Sequence, residues 1–330
     1  MNDLTVIVPV KDDARRLANC LASLARNEQP HALIVADNGS SDDSPAVAVR
    51  MGARVLALPG LRVSELRNAG ASAATSSLLA FVDADHELGP SWIAAAKTGF
   101  DSASVGAVGA LYEAPESGTW VQRMYGILRG RTQGRQEVAW LGSGNLVVRR
   151  TAFEQVGGFD ESLEACEDVD LCRRLRKVGW QIIGDERLKS VHVGDPASLG
   201  ALFRAERWRG RDNIRVSLRG PLQLRDLPSL LTPPLILLAL ISLVIAIPAA
   251  AATNLSWRLP AAAAAVILGL AALKTIRLCI RAGNASLRFV VQAMAVTLTY
   301  DLARSMALIT RAPHHRRPAS GMPIHHHSSS

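Results

Sequence analysis

Residues Leu235–Ala252 (LILLALISLVIAIPAAAA) carry no charged side chain. An apolar run of about 18–20 residues is what a helix needs to cross a bilayer core. A second apolar run, Leu259–Leu273, follows after the short turn Thr253–Arg258. Two such runs in close succession predict a helical hairpin. A third stretch, Leu287–Thr310, is apolar but carries Asp301 and Arg304. It reads as an amphipathic helix lying at the interface or against the hairpin, with Asp301 and Arg304 spaced so that they can pair. Charged residues are 20% of the 330, too many for a polytopic channel and too few for a disordered chain. The expectation is a soluble unit joined to a membrane segment.

Basic residues orient that segment. Arg204, Arg207, Arg209, Arg211, Arg215, Arg219 and Arg225 precede the first run, and Lys274, Arg277, Arg281 and Arg288 follow the second. The turn between holds only Arg258. Positive residues stay in the cytoplasm, so both ends of the hairpin are expected there. A third crossing would put Arg311, Arg316 and Arg317 outside. The net charge of +8 thus gathers beside the hairpin instead of interleaving with aromatics. Anionic membrane lipid is the expected partner, and nucleic acid is not. Residues 201–229 read as a basic amphipathic juxtamembrane region, 230–312 as the membrane region and 313–330, with His325–His327, as a disordered tail.

The first 200 residues alternate strand and helix. Thr5–Pro9, Ala32–Ala36, Arg54–Leu58, Leu78–Val82 and Ser104–Gly109 are short, largely apolar strands. Arg16–Arg26, a segment opened by Ser44-Pro45, Ser64–Ala74 and Pro90–Phe100 read as the helices between them. Leu146–Arg149 is a further strand, Thr151–Val156 a helical stub, and Cys166–Val178 a helix with acids first and bases last. The pattern predicts an α/β unit built on a mostly parallel sheet. MNDLTVIVPV reads as its first buried strand, not as a leader. Four scattered cysteines without a CxxC pair exclude a disulfide framework and a zinc site.

Three acidic clusters stand out. Asp83-Ala84-Asp85 ends the fourth strand, where open α/β sheets bind ligands. Two carboxylates there suit a hard divalent cation, or simply a surface turn. Asp37 ends another strand and begins either an Asx turn or a second piece of the same rim, next to Pro9-Val10-Lys11. Cys166-Glu167-Asp168-Val169-Asp170 opens a helix, where acids also answer the helix dipole.

Taken together, TVIVPVKDD, IVADNGSSDDS, LRNAGASAATSSLLAFVDADHELGPSWI and GSGNLVVRRTAFEQVGGFDESLEACEDVDLCRRLRKVGW resemble the family 2 glycosyltransferases, over roughly residues 4 to 193. The resemblance implies a Rossmann-like GT-A fold in residues 1–200 and a UDP-, GDP- or dTDP-sugar donor. It implies that Pro9, Val10, Lys11 and Asp37 lie near the base, where tyrosine or asparagine is commoner than Lys11. Arg67 and Asn68 border the nucleotide. Asp83 and Ala84 sit toward the ribose, and Asp85 holds Mg²⁺ or Mn²⁺, with His192 as a further ligand and His86 ambiguous. Asp168 is implied as catalytic base beside Glu167. Gly142 and Gly144 allow close backbone approach, and Trp140 either stacks on a sugar or is a core residue. Arg207-Trp208 resembles the RW pair of the processive synthases, but Arg204 stands where those have glutamine. Two spans are also too few for a secretion channel. The expected enzyme is therefore an inverting, single-sugar transferase on a cytoplasmic membrane, facing the cytosol. Its expected acceptor is a polyprenyl-linked or envelope glycan. A non-catalytic sensor of the same fold is the alternative. A dehalogenase-type phosphatase would place its Asp-x-Asp near the first strand with threonine following, and a dinucleotide enzyme would show GxGxxG.

Overall fold

A computed structural model describes residues 3–220, 224, 227–252 and 257–310. The expected disordered tail, Arg225, most of the Thr253–Arg258 turn, and Arg311, Arg316 and Arg317 lie outside the described residues.

The chain begins β1 (Leu4–Val10), α1 (Ala14–Ala25), β2 (Ala32–Asp37), α2 (Ser44–Arg50), β3 (Arg54–Ala57), α3 (Val63–Ala73) and β4 (Leu78–Val82). It continues β5 (His86–Leu88), α4 (Trp92–Thr98), β6 (Val105–Gly109), α5 (Trp120–Arg129), β7 (Arg135–Glu137) and β8 (Asn145–Arg149). Then come α6 (Arg150–Gln155), α7 (Glu167–Lys177), β9 (Gln181–Asp185) and β10 (Ser190–His192). Eight strands form one sheet in the order β3-β2-β1-β4-β8-β6-β9-β7. β3, β2, β1 and β4 are parallel, as expected, while β8 runs antiparallel between β4 and β6. β5 and β10 make a small antiparallel pair beside it.

Alternation along β1 divides the core. Val6, Val8 and Val10 face α1 and α4, packing with Leu17, Leu21, Trp92 and Ile93. Ile7 faces the other side, with Phe81, Phe153, Phe159 and Leu171. A strand covered on both faces must be apolar at every position, and every residue of β1 is buried. Trp92 is fully buried, and its indole N–H is satisfied by Asn145 Oδ1 at 2.9 Å.

The C-terminal part is helical: α8 (Leu199–Arg209), α9 (Asn213–Ser217), α10 (Leu227–Ala252), α11 (Arg258–Ala282) and α12 (Leu287–Ala307). α10 and α11 are each long and apolar enough to cross a membrane. α11 extends beyond the apolar run through Lys274, Arg277 and Arg281 to Gly283, which closes it at φ +60°. Basic side chains in a last turn favour the helix dipole, so charge does not end the helix there. α12 packs against α8, α10, α11 and α5, and so lies between the hairpin and the sheet unit. Asp301 and Arg304 on it do not pair with each other. Asp301 accepts from Lys274, and Arg304 donates to Glu206 Oε2 at 2.7 Å.

Glu206 is fully buried and also accepts from Tyr125 Oη at 2.7 Å and Arg209 Nη1 at 3.0 Å. One carboxylate thus joins α5, α8 and α12. Removing it leaves two guanidinium groups enclosed without their anion. We expect Glu206→Ala to cost about 3–5 kcal/mol, read as a lower unfolding midpoint in detergent; an unchanged midpoint would refute this hub.

Candidate active site

β1, β2 and β4 are parallel, so Pro9-Val10-Lys11, Asp37-Asn38 and Asp83-Ala84-Asp85 arrive at one sheet edge. β8 runs the other way, with Asn145 opposite Val82, and so delivers the preceding loop to that edge. The Asp83 N–H donates to Gly144 O at 3.2 Å. A Cβ on Gly144 would lie 2.6 Å from Asp83 Oδ2 and 2.9 Å from His86 Nε2, so no side chain fits there. A cleft of about 1470 Å³ opens at this edge.

Arg67 organises its acidic floor. This residue is 2% exposed, and it donates Nη2 to Asp83 Oδ1 at 2.6 Å and Nη1 to Glu167 Oε1 at 2.8 Å. Ser143 Oγ also donates to Glu167, at 3.1 Å. α7 starts after Cys166, which adopts φ +61°, a left-handed turn uncommon for a side chain with a Cβ. That turn sets Glu167 and Asp168 at the helix mouth, on the cleft. Asp168 Oδ1 accepts the Val169 N–H at 2.8 Å. Burial, with the neighbouring Glu167 charge second, pushes the Asp168 carboxyl up to about 7. A carboxyl poised near neutrality is suited to accept a proton.

A second cluster lies beside Asp83. The ligating atoms of Asp85, His86 and His192 lie within 4.8 Å of one another. β5 and β10 place His86 opposite His192. His192 Nε2 donates to Asp85 Oδ2 at 3.0 Å, and Nδ1 donates to Asp195 Oδ1 at 2.7 Å. Asp195 is gripped by Arg129 through bonds of 2.9 and 2.7 Å, and Arg129 lies 4.1 Å over the Tyr112 ring. Burial acts to lower His192, but Asp195 and then Asp85 outweigh it and raise the imidazole to about 9. Burial likewise opposes ionisation of Asp85, yet the His192 bond and charge hold it at about 2. His86 is pushed down to about 4, by burial first and the His192 charge second. A Cβ on Gly194 would fall 1.8 Å from Asp85 Oδ2, so only glycine lets that carboxylate sit here. One carboxylate with two imidazoles is a donor set that fits a divalent transition ion.

Not every expected residue reaches the cleft. Asp37 is buried behind the rim, and its carboxylate accepts the N–H groups of Gly39 at 3.1 Å and Ser40 at 3.2 Å. Its side chain builds the turn, and Asn38 lines the cleft instead. Asn68 ties α3 to a loop, donating to Phe159 O at 2.9 Å and Glu161 Oε1 at 3.0 Å. Gly142 backs the cleft wall, where a Cβ would meet Tyr112 at 3.2 Å. Arg207 is exposed and points elsewhere, while Trp208, Arg209 and Arg211 line the cleft. Trp140 is 43% exposed and faces the cleft, so it is not a core residue. Pro9, Val10, Lys11, Arg67, Asp83, Ala84, Asp85, Gly144, Glu167, Asp168 and His192 all line it. Sequence reasoning missed Tyr112, Arg129, Ser143 and Asp195. For Asp195 a signal exists, an acid three residues after His192 in a glycine-containing loop.

The cleft continues past the sheet edge to Ser229, Thr232 and Pro233 of α10 and to Lys274, Arg277 and Arg281 of α11. The acidic floor and the foot of the hairpin therefore border one space.

The chain matches a family model described as glycosyl transferase family 2 over residues 5–157. It is 32% identical over 287 residues to an N-acetylglucosaminyl-diphospho-decaprenol L-rhamnosyltransferase of Mycobacterium tuberculosis, spanning 68% of this chain and 92% of that protein. It is 25% identical over 236 residues to the glycosyltransferase AglE of Haloferax volcanii, spanning 67% and 76%. The mannosyltransferase PcManGT from Pyrobaculum calidifontis, solved with GDP-Man and Mn²⁺, has the same fold, with a TM-score of 0.59. That likeness covers 92% of this chain and 87% of that one at 18% identity.

Asp195 touches no expected ligand of its own, yet it orients His192. Removing its charge should weaken Mn²⁺ binding about 10–100-fold in Asp195→Asn, read from the free-ion signal in electron paramagnetic resonance titrations. Wild-type affinity in that variant would show the carboxylate to be a bystander.

Proposed function

The chain belongs to glycosyl transferase family 2 and is a glycosyltransferase; from that premise we propose that it moves one sugar from a nucleotide-sugar donor to a polyprenyl-linked glycan. The observation that carries this reading is the single cleft that joins the carboxylates of Asp83, Asp85 and Asp168 to the foot of an apolar hairpin. A donor diphosphate belongs at the acidic end and a lipid-borne acceptor at the other. The lipid diphosphate in the mycobacterial relative's name agrees with that acceptor class.

The chain's own residues divide the work. Pro9, Val10 and Lys11 border the place for the base, with Asn38 in the position expected of Asp37. Asp83, fixed by Arg67, faces the ribose side. Asp85 and His192 would hold a divalent ion, Mn²⁺ or Mg²⁺, and His86 stands within reach. Such an ion supplies charge neutralisation for the departing diphosphate. Trp140 offers an exposed ring to a sugar face, and Trp208 with Arg209 borders the diphosphate side. Asp168 takes the proton from the attacking acceptor hydroxyl. Glu167 and Asp83 are both bound to Arg67, so neither is free to act as a second nucleophile. One base and no nucleophile imply direct displacement with inversion. The basic foot of the hairpin supports a cleft on the cytosolic face of a cytoplasmic membrane, with the outer Arg204 and Arg207 toward anionic lipid.

A thermal-shift screen of nucleotide sugars with and without Mn²⁺, starting with activated rhamnose, identifies the donor. Asp168→Asn should then keep the donor shift and lose turnover by about 100-fold or more. Loss of donor binding, or near-normal turnover, would sink the assigned role. The base must be deprotonated, so kcat/KM rises with pH through about 7. Replacing Glu167 by glutamine removes a like charge and should move that rise to lower pH. A pH profile that stays in place would contradict the coupling.

A further inference from the structure

One side of α11 borders the cleft. Lys274, Arg277, Leu278 and Arg281 lie at i, i+3, i+4 and i+7, a single helical stripe. Two of its three cations are committed. Lys274 is bound to Asp301, and Arg281 Nη1 donates to the main-chain carbonyls of Ile127 and Leu128 at 2.9 and 3.2 Å, at the end of α5. Arg277 lies between them, is exposed, and has no hydrogen-bond or ion-pair partner among the described residues. Arg131 has the same character: it lines the cleft, is exposed, and has no such partner among the described residues. Arg281 brings the two elements together. A Cβ on Gly130, the residue before Arg131, would lie 3.3 Å from Arg281 Nη1. Arg277 sits one turn before Arg281 on the same stripe. Two uncommitted guanidinium groups therefore flank a fixed one, where the cleft meets the hairpin.

We propose that Arg131 and Arg277 bind the diphosphate linking the sugar to the prenyl chain of the acceptor, a reading that rests on the lipid-linked acceptor above. A diphosphate diester carries two negative charges, which two free arginines match. The planar guanidinium fork suits phosphate oxygens better than an ammonium does. On one side of this position the cleft leads to Asp168. On the other, α10 continues from Pro233 to the exposed Leu235, Leu238 and Ile241, an apolar track for the prenyl chain. The cleft, about 1470 Å³, exceeds the roughly 300–1,000 Å³ of a single-ligand site, so donor and acceptor head fit together. A phospholipid headgroup offers the same phosphate chemistry, and the test separates the two.

Rates are compared in neutral detergent for the wild type, Arg277→Gln and the Arg131→Gln/Arg277→Gln double variant. Two acceptors carry the same N-acetylglucosamine, one on a prenyl diphosphate and one on an uncharged alkyl chain of similar length. The wild type should prefer the diphosphate, and the double variant should lose at least about tenfold of that preference, with Arg277→Gln between. A donor-induced thermal shift reports that each variant is folded. A double variant with the full wild-type preference overturns this site and leaves the acceptor reading standing. A wild type without any preference overturns the acceptor reading, and this site with it. In a parallel arm, binding is measured to phosphatidylcholine vesicles with and without phosphatidylglycerol. Loss of anionic-vesicle binding with the preference intact assigns the arginines to bulk headgroups and also overturns the proposal.

Discussion

A buried guanidinium holds the acidic floor of the cleft together. Arg67 on α3 binds Asp83 at the end of β4 and Glu167 at the start of α7, two carboxylates that would otherwise repel each other across a desolvated cleft. A charge so enclosed is stable only while both partners remain. Its consequence is selective. It pairs with Asp83 and Glu167, while among the described residues no cation is hydrogen-bonded to Asp168. Burial, with the Glu167 charge beside it, raises the Asp168 carboxyl. One short acidic run thus supplies both a structural anion, Glu167, and a carboxyl raised toward neutrality, Asp168.

The second cluster follows the same logic with the signs arranged for a cation. Asp195, fixed by Arg129, sets the ring of His192, and His192 faces Asp85. Tyr112 and the glycine at 194 shape the space around them. Arg129 lies at the end of α5, and α5 is joined through Tyr125 and Glu206 to α12. The metal-capable cluster and the C-terminal helices thus share one set of buried polar contacts.

Much of this was legible in the residues. β-branched runs marked the strands, and parallel strands bring their C-terminal ends to one edge, so Pro9-Val10-Lys11 and Asp83-Ala84-Asp85 could be placed together. The hairpin was legible from the absence of charge. What escaped was whatever depends on contacts between distant segments. Arg67 and Glu167 stand 100 positions apart, and His192 and Asp85 stand 107 apart. No local pattern distinguishes Asp37, whose carboxylate the turn consumes, from Asp83, whose carboxylate reaches the cleft. Arg207 and Arg209 are alike in sequence, and only the facing of α8 decides which one meets the cleft. The apolar run Leu259–Leu273 gave no sign of where α11 ends, because the helix continues through cations, of which Arg281 in the last turn suits the dipole.

A nucleoside diphosphate and a divalent ion should meet at the carboxylates of one sheet edge. Crystals grown with Mn²⁺ and a nucleoside diphosphate, measured at the manganese absorption edge, test this directly. One anomalous peak is expected in contact with Asp85 and His192, with the diphosphate between that peak and the side of the cleft bearing Asp168. Manganese bound elsewhere, or a nucleotide seated away from the Asp83–Asp85 turn, would contradict it.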